Sequence, residues 1–485
     1  MKRYQMLSVS LTRVVQSGVS MTCIVLLSLS AVLAPRVQAQ TITAIYDFGS
    51  HTNDPLNPQN VGVIAQGRDG NMWSTAPAGG LYKIGAAFKI TATGKLTVVH
   101  NFNPNAKPIP EGTPYSGLTL ATDGNFYGTM LNGGKFGAGA VFKMTPSGAV
   151  TILYSFTGGN DGQNPYAPPI EGADGKFYGT TYIGGLDKDG TVYWMTSAGK
   201  LTTCVSFTGS DGYKPYSPLA QGTDGNFYGT TSNGDSFGTV FKATPASACA
   251  VSTIYGFSDA GGDGAYPNGV LVQGADGDFY SSADEGSTAN NGVLYKITST
   301  GAYTEFIGFD GGTNGGHPVG GLLLATDGNW YGVTNVGGAN GFGTIVQVSP
   351  DGKTVQAFPF NGSVGANPDV TLIQNTNGTI YGDTTIGGTT TNTGTFFKLT
   401  GLKFEKKPFV SLLPTAGKVG STVEILGQGL TGTKAVSFNG TAAKFKVVSA
   451  TYMTAVVPAK ATTGFVTVTT PKAKLTSNRQ FQVTK

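Results

Sequence analysis

The sequence predicts an all-β fold, a seven-bladed β-propeller followed by a small immunoglobulin-like β-sandwich. Three observations carry this: a phrase that recurs seven times, four short β patterns in each repeat with no helical stretch, and an array whose last unit lacks the one strand its beginning has to spare. The phrase is typified by "TDGNFYGTT" (223–231). Its aspartate, or the residue replacing it, falls at Asp69, Asp123, Asp174, Asp224, Asp276, Asp327 and Asn377, at spacings of 54, 51, 50, 52, 51 and 50 residues. A fixed period near fifty residues marks a repeat architecture.

Within a repeat, the first strand is a short apolar segment such as "PLAQG", and the second is the aromatic "NFYGTT". The third reads "TVFKATP", matched by "AVFKMTP", "VLYKIT" and "TFFKLT". The fourth reads "TILYSF", matched by "TTCVSF", "STIYGF" and "YTEFIGF". Asp-Gly between the first two strands suits a two-residue hairpin, because both residues tolerate the positive φ of the primed turns. A residue type needed at every hairpin serves backbone geometry, so no chemistry is expected there. Phe156, Phe207, Phe257 and Phe309, with Tyr154 and Tyr255 two residues earlier, give the fourth strands an aromatic face for packing between blades. The seventh unit stops after its third strand at "FFKLTG", while Ile42–Gly49, "ITAIYDFG", matches the fourth-strand pattern. Docking of this segment beside the last blade would close a ring over residues 40–401 and remove exposed edges. An open stack would need polar caps at both ends.

The flanking regions have their own signatures. Residues 1–39 combine basic positions, the apolar run "CIVLLSLSAVLA" and a small-residue ending before Gln40, the pattern of a cleaved secretory signal. The mature chain is therefore expected to be secreted or extracytoplasmic, without membrane insertion, and to be a monomer. Signal removal takes four bases and leaves a nearly neutral chain with an uneven distribution. Residues 402–485 hold 12 Lys and Arg against 2 acids, and residues 40–401 hold 15 against 25. The basic tail consists of scattered lysines rather than clustered arginines with interleaved aromatics, so nucleic acid is not expected as a partner. Export permits a disulfide between Cys204 and Cys249, but Cys204 sits where sister repeats place Leu153 and Ile254, and a buried free thiol is expected.

The units "DGNFYGTT", "GGKFGAGAVFKMTPSG" and "LYSFTGGNDG" resemble the glycine-rich GloVer repeats of bacterial surface proteins, over all seven copies. The resemblance implies export and a repeat scaffold without a known reaction. Residues 402–407 form a polar linker, and residues 408–485 alternate apolar and polar positions between Gly/Pro turns, as in an antiparallel sandwich. Their "PTAGKVG", "VSFNG", "VP" and "TGFVTV" resemble IPT/TIG immunoglobulin-like domains, which implies a spacer or interaction module.

Function is expected at the rim that carries the variable loops, between second and third strands and after the fourth. The residue following the proline that leads into each first strand is Gln59, Tyr115, Tyr166, Tyr216, Asn268, Val319 and Asp369 in turn. Tyr115, Tyr166 and Tyr216, with Asn268 beside them, form an arc on which a sugar ring could stack, and Tyr wedged between blades is the bland alternative. The expected partner is a polysaccharide or a cell-surface protein. For an enzyme, a lyase or hydrolase, the candidates are Glu285 with His317 as a general acid/base pair, and Glu111 as another partner. "DKDG" (Asp187, Asp189) and Asp161 put carboxylates in glycine loops, but no complete calcium loop, phosphate loop, nucleophile elbow or zinc spacing is present. No metal and no cofactor is expected.

Overall fold

A computed structural model describes residues 41–58, 62–234, 237–245, 249–258, 262–400 and 408–484. The expected signal segment, the linker 402–407 and Gln59 lie outside the described residues. Every regular element among the described residues is a β-strand.

Each repeat copy occupies its own antiparallel sheet. In the second copy Thr119–Leu120, Phe126–Met130, Ala140–Met144 and Val150–Ser155 pair in that order, and the other sheets repeat it within 65–101, 170–206, 213–256, 272–308 and 316–359. The last sheet is built from both ends of the array. Ile373–Gln374, Ile380–Asp383 and Thr395–Thr400 are completed by Thr41–Asp47, with Ile42 opposite Leu399 and Asp47 opposite Thr395. The N-terminal strand thus completes the last sheet by backbone pairing between residues 348 to 359 positions apart.

The phrase that opens each sheet is bound up in the scaffold. Asp224 accepts from Asn226 N at 3.1 Å, from the Tyr228 hydroxyl at 2.8 Å and from Lys242 Nζ at 3.0 Å. Burial alone would raise its carboxyl, yet these bonds bring it down to about 2. The same tyrosine-to-aspartate bond recurs at Tyr127, Tyr178, Tyr280 and Tyr331, and Trp73 Nε1 makes it to Asp69. The aromatic pair of the phrase then joins neighbouring sheets. Tyr127 stacks on Phe177 with centroids 3.9 Å apart, Tyr178 on Phe227 at 3.9 Å, Tyr228 on Phe279 at 4.1 Å and Tyr280 on Trp330 at 4.1 Å. The hydrophobic core is accordingly a set of seams between consecutive sheets.

Two of these seam devices also span the junction between the last sheet and the first. The fourth-strand Phe of one sheet meets a third-strand aromatic of the next, as in Phe156 with Tyr193 at 5.4 Å, and Phe48 meets Phe88 at 5.4 Å in the same way. A Gln or Glu ending the first strand accepts the backbone N–H just before the preceding sheet's Asp-Gly turn. Gln221 takes Ala173 N at 3.0 Å, Gln273 takes Thr223 N at 2.9 Å, and Gln66 takes Thr376 N at 2.8 Å. Two further cross-junction pairings, Gly62 with Val370 and Val63 with Thr371, run parallel.

The described tail is a two-sheet sandwich. One sheet orders Ser411–Leu413, Thr422–Leu426, Tyr452–Val456 and Phe445–Val447. The other orders Ala416–Lys418, Lys474–Thr484, Gly464–Thr469, Ala435–Phe438 and Thr441–Ala442. Val423, Ile425, Met453, Val466, Val468 and Phe481 fill the space between them. The sandwich rests on the hairpin-turn end of the repeat array. Arg68, beside the first Asp-Gly turn, donates from Nε to Glu424 at 3.0 Å and lies 4.6 Å from the centroid of the Tyr452 ring. Thr451 donates to Arg68 O at 2.7 Å, Phe409 N to Thr376 O at 3.1 Å, and Gln482 to Thr223 O. Turns of the first, fourth and seventh copies are therefore touched by one module, which covers this end and leaves the loop end uncovered by it.

One sequence expectation is overturned. Cys204 and Cys249 are joined in a disulfide. The turn between the third and fourth strands of each copy lies on the fourth strand of the copy before it: a Cβ on Gly199 would sit 2.4 Å from Leu153 O, and one on Gly301 would sit 1.9 Å from Ile254 O. Cys204 takes the place of Leu153 and Ile254, and Cys249 takes the place of Gly199 and Gly301. The register that suggested a buried thiol is the one that delivers its partner.

Candidate functional site

The site is built by a proline–glycine contact repeated around the ring. Gly139 has φ +99°, and a Cβ there would lie 2.5 Å from Pro165 Cδ; Gly190 with Pro215 and Gly238 with Pro267 repeat the arrangement. Proline fixes its own φ and needs no donor, so the next residue emerges at the same height in every copy. Tyr115, Tyr166 and Tyr216 consequently form a continuous row, with centroids 5.3 Å apart between the first two and 4.9 Å between the last two. All three are half-buried. They pack against each other around the inner wall, and Tyr166 also meets Tyr182 at 4.8 Å.

This row runs into a cavity of about 380 Å³ lined by Tyr182, Tyr216, Ser232, Asn233, Tyr266, Asn268, Asp284, Val319, Gly320 and Asp369. Four of the seven post-proline positions face it: Tyr216, Asn268, Val319 and Asp369. Among the described residues, no hydrogen bond occupies the hydroxyls of Tyr182 and Tyr216 or the side-chain amides of Asn233 and Asn268. Burial first, then the Asp369 carboxylate, raises the Tyr216 phenol well above its usual range. The wall behind is acidic as well. Asp383, at the end of the seventh copy's second strand, is pushed up to about 8 by burial and by the charge of Asp369.

The profile of the Gloeobacter/Verrucomicrobia repeat matches residues 57–280 and 237–448. The chain belongs to the Gloeobacter/Verrucomicrobia repeat family. No curated protein matches the sequence. Among solved structures it is similar to a virginiamycin B lyase from Staphylococcus aureus, at 16% identity and TM-score 0.47 over 75% of this chain and 99% of that one. It is also similar to a fungal alcohol oxidase in complex with copper, at 14% identity and TM-score 0.48 over 91% and 100%. A third likeness is to an auxiliary nutrient binding protein from Bacteroides ovatus, at 12% identity and TM-score 0.42 over 75% and 77%. None of the three assigns a ligand or reaction to this Gloeobacter/Verrucomicrobia repeat chain.

The acid/base candidates fall in different places. His317 Nδ1 lies 3.4 Å from Asp284 Oδ1, the residue before Glu285, and no hydrogen bond or ion pair joins His317 to Glu285 among the described residues. Burial raises the Asp284 carboxyl against the opposing pull of His317. Glu111 belongs elsewhere: both its carboxylate oxygens lie 3.1 Å from His100 Nε2, and it accepts Asn103 N at 2.7 Å. The loop carboxylate Asp161 accepts from the Tyr154 hydroxyl at 2.9 Å and from Thr157 N at 2.9 Å, so it closes a turn of the Gloeobacter/Verrucomicrobia repeat.

Sequence reasoning missed Tyr182, Ser232 and Asp284. They share one register position, just past the buried core of the second strand, where other copies carry Pro77, Leu131, Asn335 and Thr385. The signal was available as a column of unlike residues within an otherwise uniform repeat.

Proposed function

We propose that this chain is an exported binding protein, a closed seven-bladed propeller with an IPT/TIG-like module, that recognises a glycan through the cavity at its loop end. The observation that carries this reading is the meeting of uncommitted polar groups and tyrosine faces in one concave site. Tyr182 and Tyr216 hydroxyls with Asn233 and Asn268 amides can hydrogen-bond sugar hydroxyls, while the tyrosine row offers faces for the apolar side of a pyranose. The sandwich covers the opposite end, so it supports the propeller without obstructing the cavity. The disulfide fits an oxidising compartment and therefore export. Glycan-array screening of the mature chain is expected to yield a defined saccharide set. Asn268→Ala is expected to weaken it by about tenfold or more, the loss of a hydrogen bond in a desolvated site. An array without hits, from protein that melts cooperatively, sinks this reading.

A second reading rests on the Asp284–His317 contact, which sets a base against one of the acids of the cavity lining, as lyase or hydrolase chemistry would need. It predicts that any turnover found with an array hit is lost in His317→Gln. Turnover that persists at the wild-type rate eliminates it.

A further inference from the structure

The strongest unassigned feature is the charge of the cavity. On the reading that it is a saccharide site, we propose that it selects a sugar bearing a free ammonium group, of the glucosamine type, over its neutral or N-acylated equivalent. Apart from tyrosines, the ionisable lining residues are Asp284 and Asp369, and no Lys, Arg or His belongs to the lining. Tyr182, Tyr216 and Tyr266 surround the same space, and the face of a tyrosine attracts a cation through its ring quadrupole. Aromatic faces alone would serve any sugar. Aromatic faces with two carboxylates favour one that carries positive charge.

The two acids are not equivalent. Asp284 has a potential counter-ion of its own in His317. Asp369 lies within electrostatic reach of buried Asp383, whose carboxyl keeps its proton, and of the Tyr216 phenol, which burial also keeps neutral, so the charge at this end of the cavity belongs to Asp369. Lys214 approaches from the rim, its Nζ 5.8 Å from the Tyr182 ring centroid, but stays outside the lining. The ammonium is therefore assigned to the Asp369 side, between that carboxylate and Tyr216, and the remainder of the sugar to Tyr182, Asn233 and Asn268. An N-acetyl group there would exchange the charge for a neutral amide and bring added volume against Tyr216.

Isothermal titration of the mature chain with three tetrasaccharides tests this: β-1,4-linked glucosamine, its N-acetylated form and the glucose analogue, at about pH 6 where the amine is charged. The glucosamine oligomer is expected to bind at least about tenfold tighter than the other two, the scale of one charge-assisted hydrogen bond. In Asp369→Asn the ratio between free and N-acetylated oligomer collapses towards one, with folding checked by the thermal transition. Should that variant not fold, Asp284→Asn read for the same ratio replaces it. Equal affinity for all three sugars overturns the charge selectivity and leaves the saccharide reading standing. No binding to any of them, by protein whose thermal transition is intact, overturns the saccharide reading and the amino-sugar assignment together.

Discussion

The two ends of the repeat array use the same fifty-residue unit in opposite ways. At the hairpin-turn end, most copies repeat the same residues and most polar atoms of the phrase are engaged: the aspartate holds a backbone N–H and a tyrosine hydroxyl, and the glutamine latch reaches the preceding sheet. At the loop end the backbone is as regular, fixed by proline against glycine, but the side chains it presents differ from copy to copy. Tyr115, Tyr166, Tyr216, Asn268, Val319 and Asp369 occupy equivalent places, and several cavity residues keep hydrogen-bonding capacity to spare. Uniform positions maintain the ring; divergent positions at fixed height make a site. Substitutions at the first end should therefore appear as lost stability, and at the second as lost binding.

The largest effect is expected at Tyr228. Its ring is fully buried against Phe279, and its hydroxyl bonds to Asp224 at 2.8 Å. Tyr228→Ala opens a cavity at a seam and is expected to cost about 3–5 kcal/mol in chemical denaturation. Comparable losses at equivalent tyrosines would sharpen the contrast, whereas a shift within experimental error would break it.

Next comes Asp383, where the uniform pattern fails. The second strands of other copies carry Thr129, Thr180, Thr230 and Ser282 at this position, and Thr129 and Ser282 donate to carbonyls of the next sheet. A carboxyl whose folded pKa is about 8, against an ordinary value near 4, keeps its proton in the folded state but loses it on unfolding across that window. The folded form then binds more protons, so stability is greatest below about pH 4 and falls as pH rises towards 8. Asp383→Thr restores the repeat residue and should remove this fall, raising stability at pH 8 by a few kcal/mol on the scale of about 1.4 kcal/mol per unit. Parallel pH–stability curves for the two proteins would overturn it.

How much could be read from the sequence follows the same division. The repeat, the orphan strand and its docking beside the last sheet were legible because each depends on a local β pattern and one unmatched edge. The tyrosine row was legible because proline marks its register. Tyr182 and Asp284 were not, since their position follows a strand whose end no punctuating residue marks. The His317 partner was displaced by one residue, from Glu285 to Asp284, because alternation sends adjacent side chains to opposite faces. The Cys204–Cys249 bond was misread because a fourth-strand residue was compared only with its own column. Its partner lies in the turn of the following copy, a contact that appears only after the sheets are set side by side.

A moderate effect is expected at the closing seam. Gln66 accepts Thr376 N and donates to Thr376 Oγ1, both at 2.8 Å, within a buried contact. Leu120 and Leu324 hold this position in the second and sixth copies, so the backbone tolerates leucine there. Gln66→Leu leaves a buried N–H unpaired and is expected to lose about 1–3 kcal/mol. If closure depends on this latch, hydrogen exchange should rise first in Thr41–Asp47 and Thr395–Thr400. Uniform exchange across all seven sheets would show that closure does not depend on it.

The smallest change in stability belongs with the largest change in binding. Tyr216 is half-buried, touches Tyr166 at 4.9 Å and lines the cavity. Removing its ring forfeits an aromatic pair worth about 0.5–1.5 kcal/mol and leaves a space already continuous with solvent, so the melting transition of Tyr216→Ala should stay close to wild type. Retention on an immobilised polysaccharide identified by the array should nevertheless be abolished, and Tyr166→Ala should weaken it through the adjoining ring. Tyr228 and Tyr216 thus test the contrast between the ends with the same residue type and the same substitution. A wedge between sheets would make both variants unstable and leave retention by the surviving folded fraction intact. A binding surface makes only the first unstable and only the second unable to bind.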